Sequence, residues 1–160
     1  MRYILSLLLL FIMADSFAQN QSSARRRAAQ KKDTLRVLSC PLNDAVEPPP
    51  PKLAYGYGKQ EGSVTLTSAS DTMVKACTDA TVSKIQQDAE GKWEVVLFYN
   101  DYWFWYSGVS KVLVKRNQVL KSGDTIGIIQ PGQEMELLLY DFETPIDPKK
   151  YLDCKKAVSR

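Results

Sequence analysis

GKWEVVLFYNDYWFWYSG, residues 91–108, decides the fold of this chain. Two runs of β-branched and aromatic residues, 93–99 and 102–106, flank Asn100-Asp101, a dipeptide whose side chains tolerate positive φ. That is the pattern of a β-hairpin closed by a two-residue turn. Downstream the same pattern repeats: VSKVLVKRNQVLKSGDTIGII (109–129), EMELLLYDF (134–142) and TPIDPKKYL (144–152), each run ended by Gly, Asn, Asp or Pro. Upstream, residues 62–67 alternate Val64 and Leu66 with Ser63, Thr65 and Thr67, the period of two that marks a half-buried strand. Residues 73–77 and 81–86 add two short strands, while 111–115 and 119–129 continue the series. Pro145 and Pro148 stop it, because proline donates nothing to a ladder. The expected fold is all-β, an antiparallel β-sandwich or barrel-sandwich hybrid over residues 53–154, with a short tail at 155–160.

A chain of 160 residues with 44% hydrophobic residues supports one core. Its first 18 residues, MRYILSLLLLFIMADSFA, read as a secretory signal peptide: Arg2, an apolar run over 3–13, then a small-x-small cleavage site at Ser16 and Ala18. The run is too short for a membrane anchor, which needs roughly 20 apolar residues. The net charge of +3 is weak and argues against nucleic acid as a partner. Basic residues gather at Arg25, Arg26 and Arg27, then Lys31, Lys32 and Arg36, either as a solvated tail or as a contact with an anionic surface. Residues 19–52 read as a basic, then proline-rich linker, stiffened by Pro48 to Pro51. LRVLSC (35–40) is the one apolar patch within it that could dock on the domain.

Three cysteines, Cys40, Cys77 and Cys154, allow one disulfide and one free thiol in an oxidising compartment, with the pairing open. The chain has no histidine. That removes the usual base for a catalytic cysteine and the commonest nitrogen ligand for zinc. Tyr102, Trp103, Trp105 and Tyr106 admit two readings, cross-strand packing in the core or a binding groove. Strand alternation sends only half of them to any one face.

The order of these pieces resembles the lysostaphin or LytM-type family of peptidoglycan metalloendopeptidases. The resemblance covers about residues 61–152. It rests on Val74-Lys75-Ala76, Asp79-Ala80-Thr81-Val82, the span from Tyr106 to Val109, Val114 through Val119, Gly123, Ile126 and Gly127, and the closing Pro145-Ile146-Asp147-Pro148 with Tyr151-Leu152. The family implies a β-sandwich of duplicated hybrid motifs and a zinc held by two histidines and an aspartate, with an open position for the attacking water. On this chain the first ligand falls near Glu61, the aspartate near Thr65, and the histidine-x-histidine pair at Glu134 and Glu136. The histidine after the tyrosine falls near Gly108. None of these positions carries the family's ligand, so no metal cofactor and no catalytic residue are expected.

The resemblance therefore implies an exported, catalytically inactive LytM-like domain of the periplasm or cell surface that binds peptidoglycan or regulates a cell-wall hydrolase. Its groove would be lined by Tyr102, Trp103, Trp105 and Tyr106. One alternative is a divergent metallohydrolase with carboxylate ligands (Glu61, Glu134, Glu136) or cysteine ligands; oxygen ligands suit calcium or magnesium better than hydrolytic zinc. Glycoside hydrolysis fails, since Glu134 and Glu136 on one strand point the same way and do not flank a sugar cleft. A lipoyl-like or efflux-adaptor barrel is a third possibility, suggested by VLKSGDTIG. No lysine sits in a carrier-type hairpin tripeptide, although Val74-Lys75-Ala76 comes near, and no heptad repeat is visible.

Overall fold

A computed structural model describes residue 35 and residues 37–49 and 62–154. Twelve strands make up the described part: β1 (Leu38–Ser39), β2 (Ser63–Thr67), β3 (Met73–Lys75), β4 (Ala80–Gln87), β5 (Trp93–Tyr99), β6 (Tyr102–Val109), β7 (Lys111–Val112), β8 (Val119–Leu120), β9 (Thr125–Ile128), β10 (Glu134–Asp141), β11 (Thr144–Pro145) and β12 (Leu152–Asp153). Among the described residues the one helical element is a 3-10 turn, Pro148–Lys150, capped by the Asp147 carboxylate accepting from the Lys149 amide.

The largest sheet has seven strands in the order β11-β10-β6-β5-β4-β8, with β2 also paired to β10. Its centre is the hairpin read from the sequence. Asn100 and Asp101 both adopt positive φ, 45° and 69°, the geometry a two-residue turn needs to match the twist of its strands. Pairing is antiparallel throughout this sheet. A second, antiparallel sheet of three strands runs β3-β9-β7.

Alternation decides the core. Val64 and Leu66 of β2, Met135, Leu137 and Leu139 of β10, Tyr102, Phe104 and Tyr106 of β6, and Val95 and Leu97 of β5 are all buried. The register sets them against one another: Leu66 faces Met135, Leu137 faces Tyr106, and Leu97 faces Phe104. Val74 and Ile126 join them from the three-stranded sheet.

The proline-rich linker expected over 19–52 ends earlier than its composition implies. Leu38 and Leu42 are buried, β1 pairs in parallel with β12, and Val46 bridges to Thr67. Cys40 is disulfide-bonded to Cys154, closing a separation of 114 residues. Residues 37–49 are thus a strap laid on the domain; the apolar patch at 35–40 outweighs the polar composition around it because burying two leucines offsets the ordering of a short segment. The expected signal peptide at 1–18, the basic residues Arg25, Arg26 and Arg27, and the tail at 155–160 lie outside the described residues.

Candidate functional site

The face of the large sheet opposite the core gathers the positions that the resemblance gives to metal ligands. Thr65 of β2 pairs with Glu136 of β10, which on its other side pairs with Ser107 of β6. Glu134 pairs with Thr67. One lateral row therefore reads Thr65–Glu136–Ser107 across three adjacent strands, with Glu134 one pleat away on the same face. Glu136 is half-buried and Glu134 exposed. Glu61 lies outside the described residues.

Gly108 follows Ser107 on β6, and its backbone closes that position to a side chain. Its φ is +85°, and a Cβ there would lie 3.1 Å from the Glu134 carbonyl oxygen. A histidine at Gly108 would be strained twice, by a left-handed backbone and by crowding against β10. Gln133 seals the same end. Its Nε2 donates to the Gly108 carbonyl, and its Oε1 accepts from Ser110 Oγ at 2.7 Å and from the Gln130 amide at 3.0 Å.

Beyond that row, the same face turns aromatic. Val96, Trp105 and Leu138 pair side by side, and the next row is Phe98, Trp103 and Tyr140. The rings of Phe98 and Trp103 are 4.6 Å apart, and the Lys84 ammonium lies 6.0 Å from the Trp105 ring. The groove expected from Tyr102, Trp103, Trp105 and Tyr106 is corrected accordingly. Trp103 and Trp105 face outward, half-buried, whereas Tyr102 and Tyr106 are buried on the core side. Period-two geometry permits no other outcome for neighbours on one strand. Phe98 and Tyr140, which share the outer face, went unread because no hairpin motif marks them; only the register of β5, β6 and β10 shows them together.

The buried tyrosine does structural work. Tyr106 Oη accepts from the Cys77 amide at 2.9 Å, deep in the core. Burial pushes the Cys77 thiol up to about 12, and burial also raises the Tyr106 phenol, with Cys77 beside it adding to the shift. Cys77 is the free cysteine. A protonated, enclosed thiol is neither a nucleophile nor a metal ligand. With the other two cysteines joined, the cysteine-ligand alternative loses its donors. Elsewhere, burial alone would raise the Asp71 carboxyl, but amide hydrogen bonds from Met73 and Asn43 and the Lys75 ammonium hold it below the usual carboxylate value. Lys75 lies on β3 rather than at a hairpin tip, and its ammonium pairs with Asp71 at 3.7 Å.

The profile of Peptidase family M23 matches residues 59–148, more than half of the chain. The chain belongs to Peptidase family M23. That membership replaces the lipoyl-like and adaptor alternatives. No curated protein matches the chain. Among solved structures, this M23 chain is similar to Helicobacter pylori Csd3, with a TM-score of 0.59 and 19% identity over 78% of this chain and 35% of that one. It is also similar to a chain of the SpoIIQ–SpoIIIAH pore-forming complex (TM-score 0.57, 17% identity, 78% of this chain and 95% of that one). A third is the antimicrobial peptidase lysostaphin from Staphylococcus simulans (TM-score 0.51, 22% identity, 67% and 53%). The chain spans about a third of the length of Csd3. At these identities the likeness concerns the fold.

Zinc is the metal this family implies, and the donors of the row do not fit it. Thr65 and Ser107 offer hydroxyls, Glu134 and Glu136 offer carboxylates, and Gly108 offers nothing; a histidine is absent from the entire sequence. Tetrahedral zinc takes imidazole or thiolate first. Among the described residues, no three of His, Cys, Asp and Glu converge. Nor is any helix among them long and apolar enough to cross a membrane.

Proposed function

We propose that this M23 domain works in the cell envelope, periplasmic or secreted, by binding peptidoglycan without hydrolysing it. The observation that carries this reading is the ligand row itself. The row runs across β2, β10 and β6, yet it carries Thr65, Glu136 and Ser107, and at the adjacent Gly108 φ and the Glu134 carbonyl disfavour any side chain. A frame retained without its ligands is a surface, and the half-buried aromatic side chains next to it supply the apolar contact area that such a surface needs. Export is supported by the signal-type residues 1–18.

A protein partner is the second reading, in which the domain regulates a cell-wall hydrolase. The likeness to a chain of the SpoIIQ–SpoIIIAH complex, 95% of which aligns, favours it, because there a domain of this fold occurs within an assembly.

Sedimentation of the mature protein with purified peptidoglycan, beside elemental analysis and a wall-digestion assay on the same preparation, tests the reading. Co-sedimentation with less than about a tenth of an equivalent of metal and no digestion is the expected result. Stoichiometric metal with digestion would overturn it and restore the carboxylate alternative at Glu61, Glu134 and Glu136. Absence of co-sedimentation would also overturn it, in favour of the protein partner.

A further inference from the structure

At the end of the outer face farthest from the ligand row, a bulky aromatic ring stands on a tight hairpin turn. Phe142, in the turn between β10 and β11, has φ +57°. Among the described residues, the other non-glycine residues in that region are Asp44, Asn100, Asp101 and Asn117, side chains that tolerate it. The two-residue turn Phe142-Glu143, which closes the Asp141–Thr144 pair, calls for positive φ at its first residue; an aromatic ring in the place usually filled by Gly, Asn or Asp is the unusual feature. Phe142 is also 63% exposed, so burial does not compensate. Its amide donates to the Asp101 carbonyl at 2.8 Å, which ties its turn to the tip of the β5–β6 hairpin.

Chain order places this residue just past the end of an aromatic belt. Phe98, Trp103 and Tyr140 lie side by side on three neighbouring strands, all half-buried on the outer face, and Phe142 follows Tyr140 by two residues. The tip around the belt carries the exposed carboxylates Asp101 and Glu143. The Lys84 ammonium lies one row away, at Trp105.

We propose that Phe98, Trp103, Tyr140 and Phe142 form a stacking platform for a neutral glycan chain. Aromatic faces take up the C–H faces of sugar rings, and the carboxylates at the tip accept hydrogen bonds from hydroxyls. The polarity of the tip selects this occupant. Stacked nucleobases, wall polyanions or anionic lipid would bring phosphates against Asp101 and Glu143, and like charges so placed disfavour association. A polyol brings donors and no charge. The platform lies a full row beyond the ligand positions, with Val96, Trp105 and Leu138 between. It deepens the peptidoglycan reading and rests on it, since it assigns the glycan strand, not the stem peptide, as the recognised part.

The test is a titration of tryptophan fluorescence with the β-1,4-linked tetramer of N-acetylglucosamine, on wild type and on Phe142→Gly, beside peptidoglycan sedimentation of both. Glycine suits φ +57°, so this variant keeps the fold, which its thermal midpoint verifies. Saturable binding by wild type and a loss of about tenfold in affinity in Phe142→Gly is the expected result. Trp103→Leu, which keeps an apolar side chain but removes the flat ring, lowers affinity similarly. Binding of the tetramer that Phe142→Gly leaves unchanged overturns the platform, as does the absence of binding. Sedimentation with peptidoglycan but no affinity for the tetramer defeats the glycan platform and leaves the wall reading standing; the reverse pattern keeps the platform and defeats the wall reading.

Discussion

On β6, Tyr102, Phe104 and Tyr106 turn inward and are buried, while Trp103, Trp105 and Ser107 turn outward and stay half-exposed. The two sets are interleaved in one aromatic run, and composition alone makes them look alike. Their neighbours differ. Inward, Phe104 sits between Leu97 and Leu139; outward, Trp103 sits between Phe98 and Tyr140, and Ser107 beside Glu136. The inner set holds the sheet against the core, whereas the outer set lies on the face that carries Thr65, Glu136 and Ser107. The aromatic density of this hairpin is thus two features superposed with a period of two.

The widest separation between the two faces should appear on truncation. Phe104→Ala removes a fully buried ring and should cost about 3–5 kcal/mol in denaturant unfolding. Trp105→Ala, on the outer face, should cost less, since part of the indole already meets solvent. Equal losses would mean that the outer face is also a core, covered by something else, and would end the proposal that it binds a ligand.

A smaller contrast separates the strap from the sheet. Breaking the Cys40–Cys154 bond with reductant, or by paired Cys→Ser substitution, should cost about 2–5 kcal/mol, the range for a native disulfide closing a long loop. Because β1 and β12 pair only with each other, the loss should fall first on the strap. Hydrogen exchange should then show Leu38 and Leu42 losing protection while Leu97 and Leu139 keep theirs. Uniform loss across both regions would make the strap part of one cooperative unit with the sheet.

The strands were legible because each obeys a local rule: alternation in β2, the Asn100-Asp101 turn between β5 and β6, prolines after β10. Family membership was legible for a related reason, as its turn and closing motifs are local. The strap was half-legible: LRVLSC (35–40) stood out as able to dock, but its extent through Leu42 did not, because the two buried leucines are scattered through a polar and proline-rich stretch and what holds them is a parallel strand and a cysteine over a hundred residues away. The groove was half-legible for the opposite reason. Naming Tyr102 and Tyr106 beside Trp103 and Trp105 ignored the alternation that the same hairpin imposes, and Phe98 and Tyr140 belong to the outer face only through pairings between strands. The disulfide pairing had no local sign at all.

The subtlest difference between the faces should appear at high pH, and it concerns the inner one. Cys77 has its ordinary value of 9.0 raised to about 12 by burial, and Tyr106 is raised above 10.0 by burial and by Cys77. A group whose folded value lies above its unfolded one favours the folded state fully below the unfolded value, and that contribution is lost as pH rises toward the folded value. Stability should therefore be level around pH 7–8 and fall from about pH 9 upward, first through the thiol and then through the phenol, by up to about 1.4 kcal/mol per pH unit for each group. Cys77→Ala removes the first part of that fall, so its unfolding curve should stay level for about one further pH unit before Tyr106 begins to act. Outer-face variants such as Trp105→Ala remove no titrating group, so they should reproduce the wild-type slope. An alkaline fall that survives Cys77→Ala without change between pH 9 and 10 would place the sensitive group elsewhere, and would remove the buried Cys77–Tyr106 contact from the account of what holds the inner face together.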